Sequence, residues 1–129
     1  MGKKAWIILW VTGVILATSI TSFAKESLKP TEGNFIQAKA GKEFAIILES
    51  NVTTGYRWQL ASSIDRDFLM VVGLRYVAPK TKAVGVGGWE EWTFKTVKPG
   101  KVSITFNYAR SWEKNKAPAK TRTFVVVIK

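Results

Sequence analysis

The sequence predicts an all-β fold, an immunoglobulin-like antiparallel β-sandwich of about seven to eight strands. After the first two dozen residues the chain divides into short segments in which apolar and polar residues alternate. Turn-forming residues separate these segments at intervals of about 8 to 12 residues, as in a sandwich. An OB-type barrel is the main alternative, but it normally has five strands and a helix. The larger number of segments, and the lack of any helical periodicity after the N-terminal region, favour the sandwich.

Seven segments are predicted to be strands. In the clearest of them Val102, Ile104 and Phe106 alternate with polar residues, the pattern of a strand with one buried face. Gly73 lies inside the fourth segment and predicts a bulge or bend. In chain order the segments are NFIQAKA (34–40), EFAIILES (43–50), YRWQL (56–60), FLMVVGLRYVAP (68–79), WEEWTFKTV (89–97), KVSITFNYAR (101–110) and TRTFVVVIK (121–129).

The N-terminal region is predicted to be a secretory signal peptide. Two lysines precede an apolar run at residues 5–16, and small residues lead to a cleavage site after Ala24. The predicted organisation is therefore a signal peptide at 1–24 and one domain at 25–129, exported to the periplasm or the extracellular space. An uncleaved membrane anchor is the alternative, since the stretch up to Ala24 approaches the length that spans a bilayer. Its second half is rich in threonine and serine, which favours cleavage, and cleavage leaves no membrane span.

The chain contains no cysteine and no histidine, and this excludes several classes of enzyme. It cannot hold a Ser-His-acid or Cys-His nucleophile, nor a zinc site built from the usual nitrogen and sulfur ligands. A glycosidase-like carboxylate pair could be drawn from Asp65 and Asp67 or from Glu90 and Glu91. Solvated surface acids are the favoured interpretation of all four. We therefore predict no catalytic residue, no metal and no cofactor, and a protein that is not an enzyme.

The domain at 25–129 is strongly basic, with 18 of the 20 lysines and arginines, all nine acids and a net charge of +9. This balance favours an acidic partner or an anionic surface. One interpretation is an exported module that binds nucleic acid or an anionic envelope polymer, with steeply salt-dependent affinity. Its candidate contact residues are Lys80, Lys82, Lys114, Lys116, Lys120 and Arg122.

Three loops are unusual in composition: NVTTG at 51–55, GVGG at 85–88 and RSW at 110–112. They follow the second, fourth and sixth predicted strands. Loops after alternate strands of a sandwich emerge at the same end, as the antibody binding loops do. We therefore expect the three loops to share one edge of the molecule.

Each loop also has a purely structural interpretation. In the first, Asn51 could cap a turn and Gly55 could supply a left-handed conformation. In the second, a phosphate site would need a helix behind the glycines, whereas a strand follows, so a flexible loop or a close backbone approach is favoured. In the third, Trp112 could fold over the core, or it could stand exposed beside Arg110 as an interface residue.

Together the three loops resemble those of the chagasin-type inhibitors of papain-like cysteine peptidases, which are small exported proteins with an immunoglobulin-like fold. That family carries an Asn-Pro-Thr-Thr-Gly-Tyr loop, a Gly-x-Gly-Gly loop and an Arg-Pro-Trp or similar loop. The resemblance covers nearly all of the chain after the signal peptide. The residues that match these motifs, and that we predict to bind a peptidase, are Asn51, Thr53, Thr54, Gly55, Tyr56, Gly85, Gly87, Gly88, Arg110 and Trp112.

The resemblance implies a monomer that binds a papain-like cysteine peptidase reversibly and does not bind nucleic acid. The first loop would be a wedge over the catalytic cysteine, and the other two loops would grip the cleft on either side. Thr53, Thr54 and Gly55 suit a wedge because their small side chains let the backbone approach the floor of a groove. Val52 and Ser111 replace family prolines, which predicts looser loops and a lower affinity.

Overall fold

The computed structural model of this chain describes residues 29–81 and 86–129, and it places seven strands there in two stacked sheets. The predicted sandwich is confirmed. The predicted signal peptide and the alternative membrane anchor lie outside the described residues and stay predictions. The strands are β1 (Phe35–Ala38), β2 (Glu43–Ser50), β3 (Tyr56–Leu60), β4 (Leu69–Val77), β5 (Gly88–Thr96), β6 (Gly100–Arg110) and β7 (Lys120–Ile128).

One sheet has four strands in the order β1-β7-β6-β3, and the other has three in the order β2-β5-β4. Each sheet has one apolar face, and stacking the two sheets removes both faces from water. All strand pairs are antiparallel except that of β1 with β7, which is parallel. This departs from the purely antiparallel prediction, and it is possible because the rest of the domain provides the long connection that parallel neighbours need.

The core is aromatic and is centred on Phe106. Its ring lies 5.1 Å from that of Trp92 and 5.9 Å from that of Phe124, both in edge-on contacts. Trp58 packs in the same way at 6.5 Å. Large rings bury much apolar area, and edge-on pairs add a favourable electrostatic contribution. This packing stabilises a domain that has no disulfide.

Strand β4 forms an edge of the three-stranded sheet and contains the predicted irregularity. The pairing register with β5 shifts between Val71 and Gly73, so Val72 is the additional residue of a β-bulge. Val72 and Leu74 are 47% and 52% exposed. The prediction of a bulge at Gly73 is confirmed.

Glu90 corrects one interpretation of the sequence. Its side chain is 1% exposed, and its Oε2 accepts a hydrogen bond of 3.1 Å from the backbone N–H of Trp58 on the opposite sheet. Glu90 was expected to be a solvated surface acid, and this was wrong. Its position in β5 puts it on the same face as Trp92, so the strand period alone directs it inward. The neighbouring Glu91 points outward and pairs with Arg75 at 3.0 Å.

Candidate functional site

The first loop is a single 3₁₀ turn, Val52–Thr54, with caps at both ends. The Asn51 side-chain oxygen accepts hydrogen bonds from the backbone N–H of Thr53 at 3.2 Å and from its hydroxyl at 2.6 Å. The Thr54 hydroxyl donates to the carbonyl oxygen of Asn51 at 2.6 Å. Gly55 ends the turn with φ of +80°, a left-handed conformation that glycine adopts without strain. The polar side chains of this loop therefore bind one another and the loop's own backbone.

The third loop begins where β6 ends. The backbone N–H of Glu113 donates to the carbonyl oxygen of Arg110 at 3.1 Å, which closes a turn over residues 110–113. Trp112 stands at the third position of this turn and is 66% exposed, the largest exposure among the large apolar side chains described. Of its two predicted placements, over the core or in solvent, the structure has the second.

The first and third loops touch each other through Arg110 and Trp112. The Arg110 Nε donates to the carbonyl oxygen of Thr54 at 2.9 Å, and its guanidinium carbon lies 4.4 Å from the centre of the Tyr56 ring. The Trp112 ring lies against Gly55 so closely that a Cβ there would overlap its Cη2 atom. Glycine is therefore required at residue 55 both by its backbone conformation and by the tryptophan beside it.

The base of the first loop is joined to the core by Tyr108, a residue that the loop motifs did not include. Its hydroxyl accepts a hydrogen bond of 3.0 Å from the backbone N–H of Asn51. Its ring stacks on Tyr56 with 5.2 Å between the ring centres. Tyr108 belongs to the predicted strand at 101–110, and its position near the loop end of β6, two residues before Arg110, could have indicated a supporting role.

The second loop packs against the first by close backbone approach. A Cβ on Gly87 would lie 3.2 Å from the carbonyl oxygen of Ser50 and 3.3 Å from the Cβ of Asn51. Gly88, the first residue of β5, is buried, and a Cβ there would overlap the carbonyl oxygen of Val77. Since a strand follows these glycines, they do not form the loop and helix start of a phosphate site. Gly85 lies outside the described residues.

Nine of the ten predicted contact residues are described, and they lie at one end of the sandwich. Their backbones and rings are in contact, although they come from three separate parts of the chain. Among them Thr53, Thr54 and Trp112 are exposed, whereas Asn51 and Tyr56 are half-buried and support the others.

Some charged residues around this end bind other parts of the chain, and others are exposed to solvent. Glu113 is half-buried and its Oε1 accepts a hydrogen bond of 3.1 Å from the Arg110 Nη1. Arg122, one of the candidate polymer-binding residues, instead donates to the backbone carbonyls of Thr31 at 3.2 Å and Gly33 at 2.9 Å. Its guanidinium therefore holds the N-terminal segment of the domain. The remaining candidates that the structure describes, Lys80, Lys114, Lys116 and Lys120, are exposed; Lys82 lies outside the described residues.

Within residues 29–81 and 86–129, no group of three or more acids, histidines or cysteines is placed to hold a metal ion. The same part of the chain contains no helix with the length and apolarity needed to cross a membrane.

Comparison with known proteins identifies the family to which this chain belongs. A family model described as chagasin family peptidase inhibitor I42 matches residues 37–128. The chain belongs to the chagasin family. Amoebiasin-2 of Entamoeba histolytica is 32% identical over 84 residues, which are 65% of this chain and 68% of that protein.

Solved structures of similar proteins have the same fold. The crystal structure of the cysteine protease inhibitor EhICP2 from Entamoeba histolytica has a TM-score of 0.65 at 27% identity, over 74% of this chain and 86% of that chain. The Leishmania mexicana ICP has a TM-score of 0.54 at 27% identity, over 77% and 91%. The prediction of a chagasin-type protein is confirmed. Since the family consists of peptidase inhibitors, the prediction that the chain is not an enzyme is confirmed as well.

Proposed function

We propose that this chain is an exported, reversible inhibitor of papain-like cysteine peptidases, and that its three-loop end occludes the active-site cleft. The observation that carries the proposal is the contact of exposed Thr54 with Arg110 and of Gly55 with exposed Trp112. These contacts hold the narrow tip of the first loop beside the exposed ring of Trp112. The family match and the known cysteine protease inhibitor of similar fold support the same conclusion.

The first loop suits entry into a narrow cleft. Thr53 and Thr54 are exposed, and their hydroxyl groups already bind the side chain and the carbonyl oxygen of Asn51. The tip therefore presents little polar surface that must lose water on binding. Its backbone is also held by caps at both ends, so a peptidase cannot easily draw it into the geometry that cleavage requires.

Trp112 would supply much of the affinity. Its side chain is 66% exposed, and covering a ring of this size contributes about 3 kcal/mol of binding free energy. Arg110 has a supporting role, because its Nε and Nη1 already bind the first loop and Glu113. These contacts favour a role for Arg110 in orienting the loops over a role in pairing with an acid of the enzyme.

Export and net charge fit this function. The predicted signal peptide at 1–24 would deliver the domain to the periplasm or the extracellular space, and the mass of the mature protein tests this directly. The net charge of +9 on residues 25–129 should speed the encounter with an acidic peptidase.

The proposal is tested by titrating papain with the folded protein and comparing Trp112→Ala with Phe35→Ala. Phe35 is a matched control, since it is 58% exposed but lies in β1 on a sheet face. We expect inhibition at submicromolar concentration, about a 100-fold loss in Trp112→Ala, and no change in Phe35→Ala. Failure of the folded wild-type protein to inhibit papain or a cathepsin-like peptidase at micromolar concentration would contradict the proposal. Salt-sensitive binding to nucleic acid by such a protein would instead support the polymer-binding alternative.

A further inference from the structure

Two turns at the loop end have non-proline residues where proline is favoured. Val52 is the first residue of the 3₁₀ turn, and Ser111 is the second residue of the turn closed between Arg110 and Glu113. Neither side chain fixes its own φ angle, so each turn has more backbone freedom in isolation than it would have with proline. Hydrogen bonds inside each loop close its own turn. The placement of the two loops relative to each other must come from contacts between them.

Those contacts converge on the guanidinium group of Arg110. It donates to the Thr54 carbonyl at 2.9 Å, lies 4.4 Å from the Tyr56 ring centre and lies 5.9 Å from the Trp112 ring centre. One planar group thus touches the backbone of the first loop and the exposed ring of the third. The orientation of the plane sets all three contacts together.

Glu113 is the acid that pairs with this guanidinium group. Its Oε1 binds the Arg110 Nη1 at 3.1 Å, and its side chain is only 20% exposed, against 33% for that of Arg110. Lys116 approaches the same oxygen at 3.8 Å but is 75% exposed. A half-buried pair between arginine and carboxylate has a better-defined geometry than a surface pair.

We propose that Glu113 is a positioning residue for inhibition, which orders the wedge and Trp112 through Arg110 and compensates for the absent prolines. The inference rests on the proposed function, because it assigns a role in peptidase binding to a residue outside the three loop motifs. Without Glu113, Arg110 would sample more orientations and a smaller fraction of the molecules would be ready to bind.

The experiment compares Glu113→Gln with Glu43→Gln in inhibition of papain. Both changes remove one negative charge and keep the side-chain shape, and Glu43 is exposed at the opposite end of β2 from the loops. We expect Glu113→Gln to raise the inhibition constant about 3- to 10-fold and Glu43→Gln to leave it unchanged. Thermal unfolding of both variants checks that each is folded.

A second measurement records the proton resonances of the inhibitor in the absence of peptidase. Because the Trp112 ring lies against Gly55, ring currents should shift the proton resonances of Gly55. In Glu113→Gln this shift should decrease, and in Glu43→Gln it should stay. Adding Ser111→Pro to Glu113→Gln should restore both the shift and most of the inhibition. Proline can replace Ser111 because the backbone N–H of Glu113, and not that of Ser111, donates the hydrogen bond that closes the turn. The residue before it, Arg110, lies in an extended strand, which is the conformation that proline favours in its preceding neighbour.

Each outcome decides a separate point. If the wild-type protein inhibits and Glu113→Gln inhibits equally well, the positioning role is wrong. If Glu113→Gln is weaker but Ser111→Pro does not rescue it, the acid does not act by ordering the turn, and the inference is also wrong. If the wild-type protein itself does not inhibit, the proposed function fails first, and the inference fails with it.

Discussion

The two ends of the sandwich are closed in different ways. At the end opposite the loops, buried Thr96 places its hydroxyl oxygen 2.5 Å from the carbonyl oxygen of Lys39 and 2.8 Å from that of Lys42. Backbone hydrogen bonds complete the closure there, including that from the Lys129 N–H to the Ala38 carbonyl at 2.9 Å. At the loop end, the hydroxyl of buried Tyr108 binds the base of the first loop, but the loops beyond it are held by exposed and half-buried side chains around Asn51 and Arg110.

This difference separates folding from function within one small domain. Backbone bonds and a buried hydroxyl tie the far end to the core, so changes there should alter the free energy of unfolding. The contacts of Arg110, Trp112 and Gly55 lie outside the core cluster, so changes there should alter binding first. Variants at matched positions of the two ends test whether stability and inhibition depend on different residues.

The largest effect on stability is expected at the far end. Thr96→Val keeps the shape of the side chain but removes the buried hydroxyl, whose single hydrogen can bind the carbonyl oxygen of either Lys39 or Lys42 and whose oxygen also accepts from the Lys42 N–H at 3.2 Å. We expect the free energy of unfolding to fall by about 2 kcal/mol, measured by urea denaturation. Inhibition of papain by the folded variant should stay at the wild-type level. Weaker inhibition by a fully folded Thr96→Val would show that the two ends are coupled.

Two glycines, one at each end of the sandwich, allow a comparison in which the expected loss of stability is smaller and is the same at both ends. Gly55 and Gly41 have φ of +80° and +79°, but a Cβ at Gly55 would overlap Trp112, whereas a Cβ at Gly41 would meet nothing within 4 Å. Alanine at either position should lower the free energy of unfolding by about 1 to 2 kcal/mol, because the left-handed strain is the same. Only Gly55→Ala should also weaken inhibition, by about 10-fold, since it displaces the tryptophan. Equal inhibition by the two variants would remove the Trp112 contact from the mechanism.

The smallest effect should come from surface charge. Lys114 is exposed two residues after Trp112, and Lys101 is exposed at the far end of β6. Lys114→Gln should lower the association rate with an acidic peptidase about 2-fold at low salt, and Lys101→Gln should lower it less. At 1 M salt both differences should disappear, since the screening length is then about 3 Å. A large change in the dissociation rate would instead place Lys114 inside the interface.

Most of the fold could be predicted from the sequence. The segments EFAIILES and YRWQL coincide with β2 and β3, because alternation and turn residues define a strand locally. Gly73 marked its bulge for the same local reason. Glu90 was misjudged because its charge was weighed without its position in the strand, and because its hydrogen-bond partner, Trp58, lies on the other sheet.

By itself, the sequence determined the strands, the turns, the order of the three loops and the absence of the catalytic groups that need cysteine or histidine. These features depend on composition and on residues that are close in the chain, so they do not depend on which distant segments pair. Only the tertiary structure decided that Trp112 lies against Gly55 and that Arg110 binds Thr54. The first loop and Arg110 lie more than 50 residues apart in the chain. Their contact depends on the pairing of β3 with β6, and no local pattern specifies that pairing.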